Sequence, residues 1–175
     1  MRLIDSREIE FEEVLSIYHT YHGHQNEYEE RILKAANLFF GSWKQVSIPL
    51  DEIGKLVLPF HIERESRRLV IPPQGEILEE AYQRLLVVGK KDYETKNPFC
   101  FGKVMFQKKR IIEEGPGTFF FSLGPFTTFS ITYQQIEEQE NSLVHLDGLH
   151  RLLAIMGMPI EKKPKIIKVC VAYKK

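Results

Sequence analysis

The residues best suited to chemistry stand together near the end of the sequence, in the run His145-Leu146-Asp147-Gly148-Leu149-His150-Arg151. The apolar stretch Ser142-Leu143-Val144 leads into an Asp-Gly turn, and the turn opens an apolar helix with His and Arg in its first turn. Gly148 permits a tight backbone path at such a corner, and the first helical N–H groups have no partners within the helix. Donors of this kind attract phosphate, sulfate or carboxylate. Arg151 adds a planar cation suited to bidentate phosphate contact, and His150 can donate a hydrogen bond or move a proton near neutral pH. Asp147 has three possible uses: capping the helix, orienting His150 or Arg151, or holding a hard cation such as Mg2+ that bridges to phosphates. A purely structural alternative leaves Asp147 as an N-cap and Arg151 in a surface ion pair.

Histidines supply a competing chemistry. His19, His22 and His24 follow the spacing H-x-x-H-x-H, which puts the first two on one helix face as a conceivable metal pair. His145, Asp147 and His150 make H-x-D-x-x-H, a set able to hold a divalent ion with an open position.

The D-G-x-H-R string resembles the signature of the ParB/sulfiredoxin-like superfamily, and further landmarks follow in the same order. Val46-Ser47-Ile48-Pro49-Leu50-Asp51-Glu52-Ile53 resembles the opening strand and turn of that family, and Glu76 to Gly89 its middle helix. After the signature, Gly157-Met158-Pro159 and the stretch Ile166 to Ala172 resemble its closing turn and strand. The resemblance covers residues 44–173. In the sulfiredoxin branch a reactive cysteine stands between the Gly and the His; here the position is Leu149, so sulfinic acid reduction is not expected. Chromosome-partitioning members carry a basic DNA-binding module after the nucleotide domain, which this sequence does not show. Its 24 basic and 24 acidic side chains also supply no net positive field for nucleic acid.

The remaining branch, the free-serine kinases and related small proteins, implies a nucleotide-binding phosphotransferase or nucleotide hydrolase acting on a small metabolite. ATP or CTP would then be held with Mg2+ by the backbone of Gly148 and Leu149 together with His150 and Arg151. Asp147 would position the metal or the acceptor, and Glu63 or Glu52 would act as base; Glu63 follows the opening strand at about the distance of the family's catalytic acid. Two other readings stay open: a nucleotide-sensing or protein-interaction module without turnover, and a metal enzyme built on His145, Asp147 and His150.

These residues need elements to position them, and the pattern predicts an α+β domain. Helical spacing of Ile9, Phe11, Val14, Leu15, Ile17 and Tyr18 predicts a helix over 6–22 with Gly23 as its stop. A second helix is expected from Asn26, with Glu29 as capping-box partner, to Gly41. Residues 1–42 thus read as a helical hairpin, and 43–175 as the main domain. Strands are expected at 43–48, 69–71, 103–106, 118–122 and 126–133, with a short polar helix or turn at 134–140. The mixed-charge run His61 to Arg68 reads as a solvated loop or strand edge. Residues 90–140 exceed what a minimal family member needs and read as an insertion.

Phe119, Phe120, Phe121, Phe126 and Phe129 read as core, with nucleobase stacking as the alternative. Consecutive Phe residues make both sheet faces apolar, so helices or a second copy in a homodimer must cover them. At 175 residues and 43% hydrophobic side chains the chain is of single-domain size. Cys100 and Cys170 stand far apart, Cys170 inside an apolar strand pattern, which suggests a reducing compartment rather than a disulfide framework. No segment approaches the ~20 apolar residues of a membrane span, so a cytoplasmic, soluble protein is expected.

Overall fold

A computed structural model describes residues 4–22, 27–126, 136 and 142–175. Its centre is a seven-stranded mixed sheet. The strands are β1 (Ile4–Ile9), β2 (Ser42–Pro49), β3 (Val57–Leu58), β6 (Glu76–Ile77), β7 (Thr118–Leu123), β8 (Leu143–Asp147) and β9 (Ile166–Tyr173). They lie in the order β1-β2-β9-β7-β8-β3-β6, with β7/β9 and β3/β8 parallel and the other neighbours antiparallel. A separate ribbon pairs β4 (His61–Ile62) with β5 (Leu69–Ile71). The helices are α1 (Phe11–His22), α2 (Glu27–Phe40), α3 (Leu78–Tyr82), α4 (Lys90–Lys96), α5 (Pro98–Glu114) and α6 (Leu149–Met156). The chain is α+β, as its pattern predicts.

Phe119 to Phe121 alternate in β7, so their side chains point to opposite faces of the sheet. Phe119 and Phe121 join a core with Leu152, Leu153 and Ile155 of α6 and with Val104 and Ile111 of α5. Phe120 joins the other core, with Val14 and Tyr18 of α1 and with Ile32, Leu33 and Ala36 of α2. All three phenylalanines are fully buried, which leaves none of them for nucleobase stacking, and helices cover both faces within one chain. Phe129 lies outside the described residues.

Three expected elements differ. Residues 4–9 are a strand, not the start of α1, because β1 pairs antiparallel with β2 from Ile9 opposite Trp43 to Ile4 opposite Ser47. That pairing carries the sheet across the expected boundary at 42, so the hairpin is built into the same sheet. Residues 103–106 are helical: Pro98 opens α5 at the position where a missing N–H costs nothing, and Phe101, Val104 and Ile111 recur at helical spacing. The expected insertion is partly core, since α5 packs on α6 and β7 lies between β9 and β8. Gly23, Asn26, the 127–133 portion of an expected strand and most of 134–140 lie outside the described residues.

Candidate functional site

The corner from β8 to α6 is set by Gly148, whose φ of 106° lies in the left-handed region. A Cβ there would come within 2.8 Å of the Phe119 ring and 3.0 Å of the Arg151 guanidinium, so conformation and space both require glycine. Gly148 caps α6 with no side-chain hydrogen bond, and the first helical bond runs from Leu152 N–H to the Gly148 carbonyl at 2.9 Å. The N–H groups of the first turn therefore point outward from the helix without intrahelical acceptors. The Leu149 side chain turns into the core, leaving its backbone at the corner.

Asp147 and Arg151 form a buried unit. The Asp147 carboxylate accepts from Arg151 Nη2 at 2.7 Å and from His22 Nε2 at 2.9 Å. Arg151 Nη1 donates to the carbonyls of Thr118 at 3.0 Å and Pro116 at 3.2 Å. Its guanidinium also stacks against Tyr21 at 4.2 Å and Phe119 at 4.6 Å, and the residue is 2% exposed. Burial alone would raise the Asp147 carboxyl, but the His22 hydrogen bond and the Arg151 charge hold it well below the usual carboxylate range. Both parts of the purely structural alternative change: Asp147 does not cap α6, and Arg151 is no surface residue. The phosphate role expected of Arg151 also changes, because its donors already hold β8, α6 and the lead-in to β7 together. An Mg2+ ion at Asp147 would sit against that guanidinium, so the metal role expected of Asp147 has no support from its surroundings.

The expected metal sets do not assemble. His19 bonds Glu30 at 2.9 Å while His22 bonds Asp147, so the pair serves two separate carboxylates; His24 lies outside the described residues. His145 is buried with both ring nitrogens unpartnered among the described residues, and Asp147 is committed to Arg151. His150 turns instead toward His61, with ring centroids 5.5 Å apart, and toward Cys100. The ligand atoms of His61, Cys100 and His150 all lie within 4.8 Å of one another.

His22, His61, His145, Asp147, His150 and Arg151 line a cleft of about 560 Å³ bounded by the end of α1, α2, the segment Pro59–Ile62, α5 and the β8–α6 corner. Lys103 of α5 lines it, as do Glu29 of α2 and the rings of Tyr28, Phe60 and Phe106, Phe106 being 63% exposed. Burial, assisted by the Lys103 charge, pushes His61 down to about 4. Burial with the neighbouring His61 pushes His150 down to about 3, and burial pushes His145 down to about 4. All three imidazoles are neutral at pH 7, so His150 is not the neutral-pH proton carrier expected from its type. Burial raises the Glu29 carboxyl, whose Oε2 has no partner among the described residues.

The expected bases stand elsewhere. Glu63 is fully buried and accepts from the Ser66 hydroxyl and, at 3.0 Å, from the Cys100 N–H in the first turn of α5. Burial favours its neutral form, but these bonds and one from the Phe99 N–H outweigh burial and lower its pKa. Glu63 is thus a carboxylate cap for α5. Glu52 lies on the short 3-10 segment Leu50–Lys55, and neither residue lines the cleft.

Residues 1–174 match one family along their whole length. The chain belongs to DUF6309, a family of unknown function. Neither a curated protein nor a solved structure matches it. In this DUF6309 chain the sequence located the Gly148 corner but missed Glu29, His61, Cys100 and Lys103. These come from three elements, α2, β4 and α5, far apart in the chain, and only the mixed-charge run from His61 gave any local signal. No helix among the described residues is long and apolar enough to cross a membrane.

Proposed function

We propose that the cleft binds a small phosphorylated molecule, a nucleoside triphosphate such as ATP or CTP, with its phosphates at the first turn of α6. The observation that carries this reading is the uncapped first turn of α6 opening on a cleft beside the His145 ring and the His150 Nε2, both without hydrogen-bond partners among the described residues. Neutral imidazoles donate hydrogen bonds to phosphate oxygens, and Lys103 supplies the positive charge that Arg151 does not. Phe106 and Tyr28 offer ring faces on which a base can stack. The strand–glycine–helix unit of β8 and α6 is the segment that resembles the ParB-like superfamily. In a phosphotransferase or hydrolase of this design, His145 or Glu29 would accept the proton of the attacking group, since Glu63 caps α5 and Glu52 lies outside the cleft. Mg2+ would arrive with the triphosphate rather than on Asp147. The location of Glu63 and Glu52 also favours the reading without turnover, a nucleotide-sensing module, and release of phosphate or of a phosphorylated metabolite separates the two.

Thermal unfolding of chelator-treated protein, with ATP, ADP, CTP or GTP and with or without Mg2+, tests the binding. Ligand at a hundred times its dissociation constant should add about 2.7 kcal/mol of stability. Lys103→Gln should reduce the shift while leaving the melting temperature of the free protein unchanged. The absence of a shift with every nucleotide, or equal shifts in the variant, would count against the proposal.

A further inference from the structure

We propose that His61, Cys100 and His150 form a metal site for one divalent ion of the zinc class, bound by two imidazole nitrogens and a thiolate, with a fourth position open to the cleft. The three residues come from β4, the first turn of α5 and the first turn of α6. Their ligand atoms already lie within 4.8 Å of one another, and His61 Nε2 is 3.4 Å from Cys100 Sγ. Tetrahedral zinc, with bonds of about 2.0–2.1 Å to nitrogen and about 2.3 Å to sulfur, sets its ligand atoms roughly 3.3–3.6 Å apart. The His61–Cys100 distance is already at that value, and a small inward turn of His150 completes the set.

A second observation points the same way. The Nε2 of His150 is shielded from solvent and has no hydrogen-bond partner among the described residues. A buried imidazole nitrogen without a partner is uncommon, and a metal bond would satisfy it. Cys100 is buried outside the cleft lining, whereas His61 and His150 line the cleft, so the open position falls on the side a ligand in the cleft can reach. Three protein ligands plus one open position is the arrangement of catalytic rather than structural zinc.

Binding requires Cys100 to give up a proton. In the metal-free protein burial and the nearby Glu63 raise the Cys100 thiol to about 12, so it is protonated at neutral pH. When the ion enters, the S–H bond breaks, the sulfur–metal bond forms from the same electron pair, and the proton leaves to solvent. The ion keeps its oxidation state. The N-terminus of α5 and the Lys103 charge favour the resulting thiolate. His61 and His150 are already neutral and lose no proton. Glu63, hydrogen-bonded to the Cys100 N–H, fixes the helix turn that carries the sulfur. The site does not depend on the phosphate-binding proposal, though its open position faces the same cleft.

The test uses the full chain without a histidine tag, reduced and stripped with chelator, titrated with Co2+ in the absence of nucleotide or phosphate. The expected result is one equivalent bound, a sulfur-to-cobalt charge-transfer band with tetrahedral visible bands, and displacement of Co2+ by Zn2+. Zn2+ should also slow alkylation of Cys100 by iodoacetamide at least tenfold. Cys100→Ser should abolish the charge-transfer band, His150→Ala should weaken binding at least tenfold, and His19→Gln should change neither. The wild-type spectrum decides the matter even where a variant folds poorly. Absence of a charge-transfer band, a band that persists in a folded Cys100→Ser protein, or fast alkylation of Cys100 that Zn2+ leaves unchanged would each overturn the proposal; the last would mark a nucleophilic Cys–His pair instead.

Discussion

Two halves of one corner have opposite fates. On one side Asp147 and Arg151 carry full charges, and each is bound to several partners: His22, the Thr118 and Pro116 carbonyls, Tyr21 and Phe119. On the other side His145 and His150 are neutral, both ring nitrogens of His145 and Nε2 of His150 lack hydrogen-bond partners among the described residues, and His61 meets the Cys100 thiol at 3.4 Å and the His150 ring. A charge buried without a partner costs several kcal/mol, so the charged half must be saturated and is thereby committed to holding the fold. A neutral imidazole is buried at a smaller cost and stays available to a ligand. Within the run that looks most reactive in the sequence, the charged pair is therefore scaffold, and the neutral histidines stay open to a ligand in the cleft that both line.

The largest effect should come from breaking the charged half. Arg151→Ala leaves the Asp147 carboxylate buried without its cation and three hydrogen bonds unmade, a loss of about 3–5 kcal/mol in urea unfolding. A loss under about 1 kcal/mol would erase the distinction between the halves.

The neutral half should show itself in acid. Unfolded histidines take up protons near pH 6.5, whereas His61, His145 and His150 in the folded metal-free chain stay neutral to about 4, 4 and 3. Between those limits the unfolded state binds more protons, so stability should fall as pH drops from 6.5 toward 4. Asp147, with its lowered carboxyl, adds its own loss only below the unfolded carboxyl value of 3.8. His145→Leu should flatten the 6.5-to-4 fall by about 1–3 kcal/mol in unfolding curves at a series of pH values, with little change at pH 7. An unchanged slope would mean that His145 is protonated in the folded state.

The smallest effect belongs to an expected base that the fold places elsewhere. Glu52→Ala should alter stability by less than about 0.5 kcal/mol and leave nucleotide-induced stabilisation intact. Loss of the nucleotide shift in that variant would bring Glu52 back into the site.

The fold was legible where local pattern and tertiary environment agree. The apolar runs at 43–48, 118–122 and 166–172 became β2, β7 and β9, and the stretch ending at Gly89 became α3 with its wider final turn over Gln83–Val88. Local reading failed at residues 4–9, whose exposed polar run becomes a strand only because β2 offers an edge, and at 103–106, four residues too few to reveal the helical period of α5. In the site, Gly148 was legible because a left-handed corner leaves a mark in sequence. The duties of Arg151 and Glu63 were not, because their partners lie on other elements.

By itself the sequence determined the α+β class, the doubly apolar β7 and the glycine corner at the head of α6, all products of short-range periodicity and backbone sterics. Only the tertiary structure decided which polar groups are spent and which are left open. Desolvation depends on what packs around a side chain: it ties Asp147 and Arg151 to each other, neutralises three histidines, and brings His61 and Cys100 to His150 from distant positions in the chain.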